Sequence, residues 1–157
     1  VKKQTHKERD MVQSTKKFLE LLRRKKLKVT LTENYAGKAD AITLGFNGKH
    51  LQPINIAIFM YTNGFEASVQ CGIEKIQEGK TVECLKVLNE LNRRYKWARF
   101  SLDPTRVVIC EIDVPATSET VPEITFQMLA SMIRTADEAY VSVQPFEDAS
   151  NTVTDGI

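Results

Sequence analysis

Two histidines, three cysteines and a single tryptophan are scattered over 157 residues, and none of them falls at metal-ligand spacing. His6 lies in a charged N-terminal stretch and His50 in an expected loop, with no local pattern joining either to a cysteine, so both read as solvated imidazoles. Cys71, Cys84 and Cys110 are odd in number, lack a C-x-x-C pair and stand 13 and 26 positions apart, which excludes a disulfide framework. Set within apolar segments, they read as reduced, buried, small hydrophobes. Neither G-x-S-x-G nor H-E-x-x-H occurs, so the familiar hydrolase signatures are missing. No stretch approaches the roughly 20 apolar residues of a bilayer span, and VKKQTHKERD has no apolar run behind it to make a signal peptide. The expectation is a cytoplasmic protein with no membrane insertion. Because the chain opens on Val1 and not on Met, a few residues are expected to precede it.

What is present is a chain of 17.8 kDa with 42% hydrophobic and 27% charged residues, a size that one hydrophobic core serves comfortably. The net charge of +2 conceals polarity along the chain. Residues 1–28 carry 11 Lys and Arg against 3 Asp and Glu, whereas residues 116–157 carry 1 against 7. Such asymmetry marks either a basic arm for an anionic partner or two ends that attract each other, within one chain or across a dimer.

Periodicity gives the elements. From about Glu8 to Lys26, Met11, Thr15, Phe18, Leu19 and Leu22 make one helical stripe, and Arg23, Arg24, Lys25 and Lys26 occupy the last turn, where cations meet the negative end of the helix dipole. Alternation then takes over: weakly from Lys28 to Glu33, clearly through Ile42, Leu44 and Phe46, and again through Ile54 to Met60 and Phe65 to Cys71. Asn63-Gly64 predicts a tight type I′ hairpin turn between the last two. Thr81 reads as an N-cap of a helix with Cys84, Leu88, Leu91 and Tyr95 on one face, running to about Trp97. Strands follow at Phe100–Leu102 and Val107–Val114. A third helix begins at Thr120 to Glu123, with Phe126, Leu129, Ile133, Ala136 and Tyr140 as its stripe. The order is α-β-β-β-β-α-β-β-α, an α+β domain with three helices on an antiparallel sheet over residues 1–144. Residues 145–157 read as a polar tail that frays.

Gly79-Lys80-Thr81 sits between a strand and a helix, as in a phosphate-binding loop, but Glu74 stands where the first glycine belongs and would repel the ligand. Glu111 and Asp113 share a strand face, which they are expected to solvate. The densest concentration of charge and aromatic surface is "LNELNRRYKWARFSLD", with Arg93, Arg94, Lys96 and Arg99 around Tyr95, Trp97 and Phe100. Cations that meet phosphates and rings that stack on bases suit a nucleic-acid surface. Here Tyr95 belongs to the helix stripe and Phe100 to a strand face, so the rings are expected to seal the core while the charges stay in water.

Leu88 to Phe100, continuing through Leu102-Asp103 and Arg106-Val107-Val108, closely resembles the signature of the YbjN-like family of bacterial proteins ascribed to sensory-transduction regulation. Pro122-Glu123 and Ala136-Asp137-Glu138-Ala139-Tyr140 are similar to that family's final helix. The likeness covers roughly residues 10–142 in element order and is specific from about Leu85 to Tyr140; Pro104-Thr105 replaces the usual acidic and glycine turn. The resemblance implies a fold similar to type III secretion chaperones, with two protomers commonly paired, and supplies no catalytic residue. The expected function is that of a non-enzymatic, chaperone-like or regulatory adaptor with no cofactor and no metal. It would form a homodimer and bind a protein partner through Arg93, Arg94, Lys96 and Arg99. The competing class is a nucleic-acid or anionic-surface binder using Arg23, Arg24, Lys25 and Lys26, with an unrecognised enzyme behind both.

Overall fold

A computed structural model describes residues 11–117 and 119–151. His6, a helix start near Glu8 and the tail after residue 151 lie outside the described residues. Helix α1, Gln13–Arg24, buries Ser14, Thr15, Phe18, Leu21 and Leu22, a stripe in which Leu21 takes the place expected of Leu19. Its end is a Schellman motif: the Leu27 N–H reaches the Leu22 carbonyl at 3.1 Å and the Lys26 N–H the Arg23 carbonyl at 2.9 Å. Lys26 adopts the left-handed conformation at φ 58° that this cap demands.

The sheet follows from the alternation. Strands β1 (Thr30–Tyr35), β2 (Ala39–Phe46), β3 (Ile54–Tyr61), β4 (Glu66–Lys75), β5 (Arg99–Leu102) and β6 (Val107–Pro115) form one antiparallel sheet in the order β1-β2-β3-β4-β6-β5. Successive side chains point to opposite faces, so Ile54, Ile56, Ile58 and Met60 lie on the same side as Val69, Cys71, Val108, Cys110 and Ile112, all buried. Helices α2 (Thr81–Arg94) and α3 (Val121–Val143) cover that face, and α1 packs beside α3. The fold is therefore α+β with the expected element order, and no helix among the described residues is long and apolar enough to cross a membrane.

Four local expectations are corrected. The β3–β4 connection spans residues 62–65, with Met60 opposite Ala67. Only Gly64 takes positive φ, while Asn63 works through its side chain, whose Oδ1 accepts the Phe65 N–H at 2.9 Å. The primed geometry occurs instead at Ala36 and Gly37, φ 48° and 71°. Helix α2 is capped by Lys80 without a side-chain bond and stops at Arg94, since Tyr95 is already extended at ψ 122°. In α3 the buried stripe is Thr125, Leu129, Met132, Ala136, Ala139 and Val143, while Phe126, Ile133 and Tyr140 are half-buried. The helix is apolar over a wide arc because it meets the sheet beneath and α1 at its side, so a single stripe did not locate its centre. The predicted tail does not fray at its start. Phe146 and Asp148 bond across to the end of β4 (Gln77 N–H to Phe146 O, Asp148 N–H to Lys75 O, both 2.8 Å), and Arg106 meets Asp148 at 3.8 Å.

Asp40 joins the first helix to the sheet. Fully buried on the core side of β2, its Oδ2 accepts the Val12 N–H at 2.9 Å and the Thr15 hydroxyl at 2.8 Å, while Oδ1 accepts the Asn34 N–H at 3.0 Å. The carboxylate caps α1 from a distance and fixes the bulge in β1. Hydrogen bonds to a charged group contribute about 1.5–3 kcal/mol each, and their loss strands buried donors. Asp40→Ala is expected to lower the unfolding free energy by at least about 3 kcal/mol in urea titrations, more than Thr15→Val, which removes one of the three.

Candidate functional site

The crowded stretch of residues 88–103 is a helix-to-strand corner built on Asn92. Its Nδ2 donates to the Phe100 carbonyl at 3.0 Å and its Oδ1 accepts the Phe100 N–H at 2.7 Å. The primary amide thus mimics a neighbouring strand on the outer edge of β5, the last strand of the sheet, and occupies backbone groups that would otherwise recruit another chain. Tyr95 packs its ring 5.7 Å from that of Phe100 and donates its hydroxyl to Glu138 of α3 at 2.8 Å. Burial, then the Glu138 carboxylate, pushes the tyrosine pKa up. Phe100 is buried, as expected, but Trp97 is 69% exposed.

The four basic residues expected to make one face are divided. Arg99 projects from the opposite face of the sheet, where it bridges Glu111 at 3.1 Å and Asp113 at 3.3 Å. The hydrogen bond and charge of Glu111, with Asp113, raise its pKa. Those two carboxylates therefore hold a cation as well as solvating their strand. Arg93 pairs with Glu90 at 3.4 Å in water, and the Arg94 guanidinium lies 5.5 Å from the centre of the Tyr95 ring. Arg94 and Lys96 instead join Arg134 of α3, and with Trp97, Ser131 and Thr135 they line a hollow of about 150 Å³. Arg94 also borders a larger groove of about 400 Å³ between α2 and α3, with Lys86, Val87, Glu90, Leu91 and Ser142. Ser131, Thr135, Glu138 and Ser142 follow at i, i+4, i+7 and i+11, one flank of α3. Arg134 was missed because it lies far along the chain, although as the lone cation of residues 116–157 it was visible.

Arg23, Arg24, Lys25 and Lys26 are all exposed at the end of α1, separate from this groove. They sit at the negative end of the helix, and the Lys25 ammonium rests 5.6 Å from the centre of the Phe126 ring. On the uncovered sheet face, Tyr35 and Phe59 rings lie 5.5 Å apart beside a hollow of about 220 Å³ that Tyr61 and Gln70 also line. A wider depression of about 500 Å³ over β1, β2 and β3 has Lys28 as its one ionisable residue.

All three cysteines are free and buried; burial lifts the Cys71 thiol to about 11 and raises Cys84 and Cys110 as well, which keeps them unreactive near neutrality. Cys71 and Cys110 are register partners across β4 and β6. Lys80, the lysine of the would-be phosphate loop, pairs with Glu83 at 3.5 Å. No group of three or more His, Cys, Asp or Glu side chains among the described residues is arranged to hold a metal ion.

Asp103 and Asp137 also have structural partners. Asp103 Oδ1 gathers the Thr105 N–H and hydroxyl, both at 2.8 Å, and the Val107 N–H at 2.9 Å, closing the turn that ends with Arg106 at φ 66°. Asp137 Oδ1 accepts the His50 and Leu51 N–H groups at 2.7 and 2.9 Å. Burial acts to raise its pKa, but these donors and that of Lys49 hold it low. The carboxylate comes so close to Gly48 that any β-carbon there would collide with it. Comparison with known families and with characterised proteins finds no match to this chain. Asn92→Ala is expected to cost about 2 kcal/mol, one for each lost bond, and to speed amide exchange at Phe100; unchanged exchange there would show that the edge is held by other means.

Proposed function

We propose that this chain is a non-enzymatic, cytoplasmic protein-binding adaptor of the YbjN-like, chaperone-like kind, which works as a homodimer. One observation carries the reading: the groove between α2 and α3 offers an apolar floor at half-buried Val87 and buried Leu91, a rim where Lys86 and Arg94 outnumber Glu90, and an exposed tryptophan beyond its end. An amphipathic helix from a partner buries its apolar stripe in such a groove and sets acidic residues against such a rim. Exposed tryptophan flanked by arginine is the composition of binding hot spots. The resemblance of residues 85–140 to the YbjN-like family supports the same class.

Val87 lines the groove, whereas Leu85, 47% exposed, lies on the other flank of α2. Val87→Asn is therefore expected to reduce recovery of discrete partners from a bacterial lysate at least about tenfold, a loss of roughly 1.4 kcal/mol, while Leu85→Asn leaves it unchanged. Equal recovery by both variants, or turnover of a small molecule by protein that retains no partner, overturns the reading.

Pairing of two copies is assigned to the uncovered sheet face, where Tyr35, Phe59 and Tyr61 form the aromatic part of a shallow hollow. Light scattering at micromolar concentration is expected to give twice the mass of one chain and, for Phe59→Lys, a single mass. The mass of one chain in the unmodified protein refutes the dimer without touching the groove.

A further inference from the structure

We infer that the hollow at the α2–β5 corner is a binding site for a phosphate group. Three cations line it, Arg94, Lys96 and Arg134, drawn from two separate segments. Among the described residues none of the three is within ion-pairing distance of a carboxylate. The two acids next along α3 are both occupied, Asp137 in accepting the His50 and Leu51 N–H groups and Glu138 in accepting the Tyr95 hydroxyl. Neighbouring arginines differ: Arg99 is paired twice and Arg93 once. Like charges gathered at one hollow repel, and an anion between them turns repulsion into attraction.

The donors and the space select the anion. Its lining residues carry two guanidinium forks, an ammonium and the hydroxyls of Ser131 and Thr135, and include no carboxylate. Guanidinium matches phosphate oxygens in pairs. Three positive charges exceed what a single carboxylate neutralises and suit a phosphate dianion, whose charge is about −2. At about 150 Å³ the hollow falls below the roughly 300–1,000 Å³ of pockets that engulf drug-sized ligands. It has the capacity of about five waters at roughly 30 Å³ each, enough for one phosphate group. Trp97, mostly exposed at the rim, offers a flat apolar face to whatever carries the phosphate. Two sources share this chemistry, a small phosphate compound and a phosphorylated protein side chain.

Trp97 is the only tryptophan in the chain, so its fluorescence reports on this hollow alone. The full chain is titrated with inorganic phosphate, with a phosphoserine peptide and its unphosphorylated form, and with sodium chloride at matched ionic strength. Inorganic phosphate is expected to change the emission saturably, with little response to chloride, and Arg134→Gln or Lys96→Gln to weaken binding at least about tenfold. Both substitutions are at exposed positions, and circular dichroism verifies that each variant folds. A phosphopeptide that binds at least tenfold tighter than inorganic phosphate identifies a phosphorylated side chain as the source; equal affinity identifies a small phosphate compound. A phosphate response no different from that of chloride, or one unaltered in both variants, overturns the site. The titration requires no protein partner, so its failure is distinct from failure of the groove in partner capture.

Discussion

Everything in this molecule hangs on the burial of one face of a six-stranded sheet, where alternation gathers the large aliphatic side chains. Each fully buried Ile, Val or Met on that face contributes about 1.5–3 kcal/mol relative to exposure, so a register slip of one residue would forfeit the core. The same alternation leaves the other face to Thr43, Ala57, Gln70, Glu111 and Arg99, a row running across β2, β3, β4, β6 and β5. The polar contacts that tie helices and connections to the sheet lie at its edges and corners.

Those contacts are few and strongly directional. Asp40 ties α1 to the β1–β2 end of the sheet, Asn92 closes the β5 edge, Tyr95 and Glu138 join α2 to α3, and Asp137 holds the long β2–β3 connection. Hydrophobic burial is nondirectional and allows the helices to slide or rotate on the sheet. Side-chain bonds to backbone groups do not, so these residues set the positions of the helices. The role of these polar residues is in this sense architectural: they hold the corner that carries the groove and the basic hollow.

The polarity of charge along the chain acquires a different meaning in three dimensions. Arg134, from the acidic C-terminal stretch, meets Arg94 and Lys96 from the middle of the chain at one hollow. Arg99, only three positions from Lys96, is turned away to Glu111 and Asp113. Sequence proximity therefore exaggerated one cluster and concealed another. The reason is the pleat: at the corner the chain leaves a helix, where neighbours are three or four residues apart, and enters a strand, where adjacent residues face opposite ways.

Periodicity by itself determined the α+β class, the element order, the buried cysteines and the inward side of nearly every strand, because a period of 2 or 3.6 is a local property that burial then enforces. It also placed Phe100 in the core. Only the tertiary structure decided the centre of the α3 stripe, the docking of Phe146 and Asp148 beside β4, the buried role of Asp40 and the company of Arg134. Each of these depends on residues from remote parts of the chain meeting in space: Val12 and Thr15 with Asp40, α1 with the flank of α3, Arg94 with Arg134. A one-dimensional pattern records which way a side chain points, but the partner it finds is set by how helices settle on the sheet.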